Sequence, residues 1–163
     1  MNMIIAAYAG TGKTTLAAIY PDSVIDFVCM PYKYYLSPDN DNGEASKGNP
    51  YNVMREEWPH NYVEAIEAAS DEGKILLIPS DSQALALLRE DNIPYTLCYP
   101  QRNAKEICRR RFIDRGNTDD FLSIFIGGWD LYIGKLETIE AERRIVLEPY
   151  QFLSDVFDFG SEA

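Results

Sequence analysis

A glycine-rich loop near the N-terminus carries the residue types best suited to chemistry. An apolar run from Met3 leads into an alanine-rich helix through the loop Ala7-Tyr8-Ala9-Gly10-Thr11-Gly12-Lys13-Thr14-Thr15. Two glycines let the backbone turn tightly, so that consecutive amide groups point at one anion, and the start of the helix adds its positive dipole end. The spacing predicts a site for ATP and Mg²⁺ formed by Ala9, Gly10, Thr11, Gly12, Lys13, Thr14 and Thr15.

Within this loop the side chains have separate expected roles. Lys13 is placed to reach the β- and γ-phosphates and is predicted to be catalytic. The Thr14 hydroxyl is the predicted metal ligand, and Thr15 is placed to contact the α-phosphate. The pattern departs from its usual form at one point, because Ala7 occupies the first position, where glycine is typical.

A short basic segment is the second feature with a chemical use. The chain has a formal net charge of −11, yet six of its cations lie in the stretch 102–115: Arg102, Lys105, Arg109, Arg110, Arg111 and Arg115. Guanidinium groups stabilise the negative charge that phosphoryl transfer spreads over the equatorial oxygens. We predict that Arg111 and Arg115, which share a helix face, are catalytic and that Arg102 binds the nucleotide. The alternative is that these arginines are solvated or paired with acidic side chains.

Two carboxylates are associated with predicted buried strands: Asp26 lies late in one strand, and Asp81 follows another. Asp26 lies where an unpartnered carboxylate is costly, so it needs a function or a partner. It could act as a general base for a hydroxyl acceptor, order water around Mg²⁺, bind an acceptor sugar, or bond Lys33 or loop backbone. Asp81 lies in the pattern Ser80-Asp81-Ser82-Gln83, for which we predict helix capping by Ser80 and Asp81 rather than a role at the metal.

Length and composition bound the remaining possibilities. With 163 residues, 46% of them hydrophobic and 25% charged, the chain suits one globular domain over residues 1–163. The acidic balance disfavours nucleic acid as a partner. No apolar run has the length of a bilayer span and the N-terminus lacks the layout of a signal peptide, so we expect a cytoplasmic protein without a membrane partner. Cys29 and Cys98 are expected to be small buried hydrophobic residues.

Periodicity predicts strands that alternate with helices. The predicted strands cover residues 3–8, 23–29, 74–79, 93–99 and 143–147, and the predicted helices cover 13–20, 60–71, 80–91, 104–115, 118–131 with a possible extension to 142, and 150–157. Such alternation favours a parallel sheet with helices on both faces. Right-handed crossovers would bring the glycine-rich loop, Asp26, Ser80-Asp81 and Gln101-Arg102 to one edge of this sheet. The polar, tyrosine-containing stretch 30–59 is predicted to be a partly ordered flap.

Taken together, these features make the chain resemble the nucleoside and nucleotide kinase branch of P-loop proteins, and in particular the small nucleotide-kinase-like proteins often encoded by bacteriophages. The resemblance is carried by the loop 7–14, by Val24-Ile25-Asp26, and by Tyr99-Pro100 with Arg110-Arg111-Phe112 and Arg115-Gly116-Asn117. It implies a three-layer P-loop NTPase fold with strand order 2-3-1-4-5. It also implies an arginine-bearing lid, which falls at about 101–117, and an acceptor-side flap, which falls at about 30–72.

The expected activity is transfer of the γ-phosphoryl group of ATP to a small acceptor, with a nucleoside monophosphate favoured. Such an acceptor needs no base, because its phosphate is already an anion. Two alternatives stay open: a kinase that acts on a nucleoside or another hydroxyl with Asp26 as base, and a nucleotide-binding module without turnover. The pattern leaves the oligomeric state and the identity of the acceptor open.

Overall fold

Five parallel strands form the centre of the computed structural model, which describes residues 3–35 and 53–159. The strands are β1 (Met3–Ala7), β2 (Val24–Asp26), β3 (Ile75–Pro79), β4 (Thr96–Pro100) and β5 (Arg143–Leu147). They lie side by side in the order β2-β3-β1-β4-β5, and every neighbouring pair is parallel. The prediction of a parallel sheet and the strand order implied by the resemblance are both confirmed.

The helices cover both faces of the sheet, as predicted. They are α1 (Lys13–Ile19), α2 (Met30–Lys33), α3 (His60–Asp71), α4 (Ser82–Glu90), α5 (Lys105–Asp114), α6 (Asp119–Leu122), α7 (Trp129–Thr138) and α8 (Leu153–Val156). A 3₁₀ turn at Arg102–Ala104 precedes α5, and a π-helical turn at Ser123–Gly127 links α6 to α7.

Strand side chains alternate between the two faces, and both sets are apolar because both faces are covered. On β1, Ile5 and Ala7 join the cluster that contains Leu16 of α1 and Leu153 of α8. The alternate residues of β1 join the cluster that also contains buried side chains of α3, α4, α5 and α7. The loops after the strands are thereby left at one edge, where the predicted site residues lie.

Several element boundaries differ from the predictions. β2 has three residues rather than seven and ends at Asp26. β4 begins at Thr96 rather than residue 93, because Pro94 cannot donate a hydrogen bond to a ladder. The predicted closing helix over 150–157 is reduced to the four residues of α8.

The long helix predicted from residue 118 onward is broken near its glycines. The π-helical turn ends at Gly127, and α7 begins after Gly128. A Cβ atom on Gly128 would lie 2.8 Å from the carbonyl oxygen of Ile124, so only glycine allows this close turn.

The stretch 30–59 is described at its two ends. α2 follows Cys29, and an isolated antiparallel bridge joins Tyr34 to Met54. Residues 36–52, which form most of the predicted flap, lie outside the described residues. Within the described ranges, no helix is long and apolar enough to cross a membrane.

All three cysteines are buried, as predicted for Cys29 and Cys98. Burial raises the pKa of the Cys98 thiol to about 12, so this thiol stays protonated at neutral pH.

Candidate functional site

A cleft of about 1000 Å³ opens at the carboxyl edge of the sheet. The glycine-rich loop after β1, the end of β2, the residues after β3 and the segment from α6 to α7 all line it. The edge predicted from the alternation of strands and helices is therefore the edge at which the cleft lies. Of the predicted loop residues, those that line the cleft are Ala9, Gly10, Gly12, Lys13, Thr14 and Thr15.

The loop turns through two glycines in the left-handed region. Gly10 has φ 75° and Gly12 has φ 95°, values that other L-residues rarely adopt. Ala7, by contrast, is the buried last residue of β1. Within the described residues, Asn92 alone among non-glycine residues has a positive φ, so the position of Ala7 does not require glycine.

Gly10 is also constrained by a contact that the motif does not reveal. A Cβ atom built on Gly10 would lie 2.5 Å from Cε1 of Phe112, a fully buried residue of α5. The loop backbone therefore packs directly against the basic helix that the sequence singled out. Thr11 forms hydrogen bonds inside the loop and to α8. Its hydroxyl donates to the Tyr8 carbonyl at 2.7 Å, and its own carbonyl accepts from the Leu153 amide.

Lys13 folds back over the loop. Its Nζ donates to the carbonyl oxygens of Ala7 and Tyr8 at 3.2 and 3.3 Å. Burial lowers the pKa of Lys13 to about 8, the Asp26 carboxylate partly offsets this, and the positive charge of Arg115 lowers it further. A cation in such surroundings is stabilised by an added anion, because the carbonyls carry no net charge.

Thr14 and Asp26 are joined directly. The Thr14 hydroxyl donates a 2.9 Å hydrogen bond to Oδ2 of Asp26, which ends β2 and is half-buried. Both residues line the cleft. Lys33, one of the partners considered for Asp26, does not bond it, because the Lys33 ammonium bonds Asp81 instead.

Asp81 caps α4, as predicted. Its Oδ1 accepts hydrogen bonds from the amides of Gln83 and Ala84 at 2.9 and 3.1 Å. The prediction for Ser80 is wrong: this buried residue precedes the cap, and its hydroxyl lies 3.3 Å from the hydroxyl of Tyr132. The second oxygen of Asp81 accepts from Lys33 Nζ at 2.7 Å.

The three arginines predicted for the site have different surroundings. Arg115 lines the cleft. Arg111 stacks 4.1 Å above the ring of Phe152, a residue of the cleft wall, and donates to the Pro149 carbonyl. Arg102 lies outside the set of described residues that line the cleft and pairs with acidic side chains of α7, Glu137 and Asp130.

Acidic pairing also accounts for two further arginines of the basic segment. Arg109 bonds Glu106 one turn earlier on α5, and Arg110 lies 3.8 Å from the same carboxylate. Arg109 and Arg110 therefore pair with an acidic side chain, which is the alternative that the sequence left open.

An apolar surface of the cleft, here called the apolar wall, has no counterpart among the predicted site residues. It is formed by side chains from α6, the π-helical turn and α7 that line the cleft: Phe121, Ile124, Phe125, Leu131, Tyr132 and Leu136. The shared helical face of Phe121, Ile124 and Phe125 was the sequence signal for it. Phe125 is half-buried at this wall.

Trp129, from the same helical stretch, is a core residue. It is fully buried, and its indole nitrogen donates to the Arg102 carbonyl at 3.0 Å. The apolar side chains of this helical stretch are thus divided between the cleft and the core.

The chain was compared with protein-family models and with curated proteins. No family model matches it, and no curated protein is significantly similar to it. The function is therefore inferred from the geometry of the cleft and from the resemblance of its loop to a phosphate-binding loop.

Proposed function

We propose that this protein is a P-loop phosphotransferase that uses Mg-ATP to phosphorylate a small acceptor, with a nucleoside monophosphate as the favoured substrate. One observation carries the proposal. Lys13 and Thr14 follow a loop with two left-handed glycines and face a cleft of about 1000 Å³. This is the residue set and the strand–loop–helix context in which P-loop proteins hold nucleotide phosphates.

The residues present fit both ATP and Mg²⁺. The partly buried Lys13 ammonium is bonded only to neutral carbonyl oxygens among the described residues, so phosphate oxygens would supply the negative counter-charge that it lacks. No group of three or more His, Cys, Asp or Glu side chains converges within the described ranges. Mg²⁺ does not need such a group, since it binds through one or two protein oxygens together with substrate phosphates. Thr14 and Asp26 would hold it.

When bound, Mg²⁺ would neutralise part of the charge on the β- and γ-phosphates. The chain itself contributes position and charge. Lys13 would hold the terminal phosphates, and Arg115, which lines the same cleft, would stabilise the equatorial oxygens during transfer. Arg111 and Phe152 form a flat stacked surface beside Gly12, suited to contact the nucleoside part of ATP.

We favour a monophosphate acceptor over a hydroxyl acceptor because Asp26 belongs to the proposed Mg²⁺ site. Its Oδ2 accepts from Thr14, the other proposed metal ligand, so we assign Asp26 to the metal rather than to proton abstraction. A monophosphate needs no general base, so positioning and charge stabilisation are sufficient.

A nucleotide-binding module without turnover is the second candidate. The observation that favours it is the state of Asp81, the carboxylate after β3. Both of its oxygens are engaged, by the amides at the start of α4 and by Lys33. Asp81 therefore has little capacity left to order a metal-bound water.

The test is ADP formation from Mg-ATP in the presence of ribo- and deoxynucleoside monophosphates and of the corresponding nucleosides. We expect a signal with at least one monophosphate and its loss in Lys13→Ala. A signal with nucleosides alone would shift the assignment to a hydroxyl kinase. Nucleotide binding without ADP formation would favour the binding module, and transfer that persists in Lys13→Ala would contradict the proposal.

A further inference from the structure

Lys33 places a second partly buried cation in the cleft. It is the last residue of α2, and its ammonium lies 2.7 Å from Oδ2 of Asp81, with side-chain exposures of 18% and 15%. Both residues line the cleft that Lys13 also lines. Burial alone would lower the pKa of Lys33, but the hydrogen bond and charge of Asp81 outweigh it and raise the pKa, so Lys33 stays charged at neutral pH.

The ammonium of Lys33 keeps donors for a ligand. A lysine ammonium has three N–H groups, and among the described residues only Asp81 accepts from this one. The rings of Trp58 and Tyr34 lie 5.3 and 5.7 Å from Nζ and help to fix its position. Both contacts are with rings rather than with oxygen acceptors, so the remaining N–H groups stay available to a ligand.

The cleft as a whole suits an anion. In a chain of formal net charge −11, its charged lining residues are slightly more cationic than acidic. The cations are Lys13, Lys33, Arg115 and Lys135, and the acids are Asp26, Asp81 and Asp120. A local reversal of this kind concentrates anionic ligands at the site.

The apolar wall faces the same cleft and remains partly open to solvent. Leu131 is 69% exposed and Ile124 is 39% exposed, and the rings of Phe121 and Phe125 lie 4.5 Å apart. Exposed apolar surface inside a cleft is the usual lining for the apolar part of a small ligand.

The wall and the ring of Phe152 line the cleft from different elements. Phe121 and Phe125 pack against the cluster under α3, α4, α5 and α7, as does Tyr32 of α2. Phe152 directly precedes Leu153 of α8, which belongs to the other cluster. The cleft therefore has two apolar contributions from separate segments, the Phe152 ring beside Gly12 and the apolar wall, which we assign to the donor nucleotide and to the acceptor.

We propose that Lys33 is the acceptor-binding residue, whose ammonium takes the phosphate of a nucleoside monophosphate while its base lies against the apolar wall. Asp81 is a positioning residue that holds Lys33 toward the cleft. This inference rests on the proposed function for its choice of acceptor. It names one residue of α2, which lies within the acceptor-side flap that the resemblance implied at about 30–72.

The experiment compares Lys33→Met with a matched control, Lys74→Met. Lys74 lies just before β3 and bonds the Asp22 carbonyl, so the control removes a hydrogen-bonded lysine away from the cleft. Calorimetry measures the Kd of nucleoside monophosphates, nucleosides and glycerol 3-phosphate, and separately that of Mg-ATP. In Lys33→Met we expect monophosphate Kd to rise about 10- to 100-fold, as for a lost charged hydrogen bond, with Mg-ATP affinity and the control unchanged.

Two further variants separate binding from a purely structural role. Lys33→Arg keeps the charge, and Asp81→Asn keeps the helix cap while removing the charge partner. If Lys33 binds the phosphate, we expect both variants to retain more monophosphate affinity than Lys33→Met. If the Lys33–Asp81 ion pair is only structural, Lys33→Met and Asp81→Asn should lose affinity equally. If Lys33→Met fails to fold, the ligand selectivity of the unsubstituted protein still tests the proposal.

The unsubstituted protein tests the two halves of the ligand. We expect monophosphates to bind at least about tenfold more tightly than nucleosides, which lack the anion, and than glycerol 3-phosphate, which lacks the base. Equal binding of nucleosides and monophosphates, or no monophosphate binding at all, overturns the inference. If the proposed function fails instead, ADP is not formed, yet Lys33-dependent monophosphate binding still decides the inference.

Discussion

The Thr14 hydroxyl donates a 2.9 Å hydrogen bond to Oδ2 of Asp26, which ties the first turn of α1 to the end of β2. The two residues are twelve positions apart in the sequence and come from different elements. Their side chains form a hydroxyl–carboxylate pair beside Lys13, whose pKa responds to the Asp26 charge. Oxygen ligands of these two kinds are those that Mg²⁺ prefers. The pair is the basis of the first prediction.

We expect Asp26→Asn to raise the Mg²⁺ concentration needed for half-maximal phosphoryl transfer by about 10- to 100-fold, because a neutral amide orders the metal less well. The measurement is a titration of activity with Mg²⁺ at saturating ATP. Should the Mg²⁺ requirement stay the same while the acidic limb of the pH profile disappears, Asp26 would be a general base instead.

Nucleotide affinity should fall as the pH rises through about 8, because the pKa of Lys13 in the free protein is about 8. Below that pH the ammonium is already charged and the affinity is flat. Above that pH, Lys13 must take up a proton when the nucleotide binds, because the phosphate favours the charged ammonium. The nucleotide affinity then decreases by at most tenfold per pH unit. Calorimetry between about pH 6.5 and about pH 9.5 checks this. Lys13→Met should bind more weakly and show no such decline, and a decline that persists in it would assign the titration to another group.

Gly10→Ala should destabilise the fold more than Gly73→Ala. Both glycines have a positive φ, which costs an alanine about 1–2 kcal/mol. A Cβ on Gly73 meets nothing within 4 Å, whereas one on Gly10 would strike Phe112, adding about 1–3 kcal/mol of overpacking. Urea denaturation measures both free energies of unfolding. Equal losses of stability in the two variants would mean that α5 moves away from the loop freely. Combining Gly10→Ala with Phe112→Leu should recover part of the stability lost in Gly10→Ala.

Asp81→Ala should lower the free energy of unfolding by about 1–2 kcal/mol, because it removes the acceptor for the Gln83 and Ala84 amides. Asp81→Asn should cost less, since asparagine caps helices about as well as aspartate. Thermal or chemical denaturation of both variants is the check. If the two were equally unstable, the ion pair with Lys33 rather than the cap would be the main contribution.

Arg115→Ala should lower kcat/KM by on the order of 100-fold, while Arg102→Ala should change it less than about threefold. The reason is location: Arg115 lines the cleft, and Arg102 pairs with Glu137 and Asp130 of α7. Steady-state kinetics on both variants distinguishes them. A large loss in Arg102→Ala would show that this arginine leaves α7 when substrate binds, as the sequence-based assignment to the nucleotide requires.

The sequence by itself determined the features that depend on local chemistry and periodicity. The pattern from Gly10 to Thr15 predicted a loop after a strand, and that loop is present. Alternating apolar strands and amphipathic helices predicted a parallel sheet covered on both faces. Asp81 was recognised as a cap because a capping pattern lies within a few residues.

Only the tertiary structure decided which distant side chains meet. Residues far apart in the chain meet in the pairs Thr14–Asp26 and Lys33–Asp81 and in the contact of Gly10 with Phe112. The fold also separates Arg115, which lines the cleft, from Arg102, which pairs with α7. Charged side chains such as arginine are long and find partners through the packing of whole elements, which no local pattern encodes. The apolar wall exists for the same reason, because it combines side chains from both sides of Gly128, such as Phe121 and Leu131, that only the fold brings together.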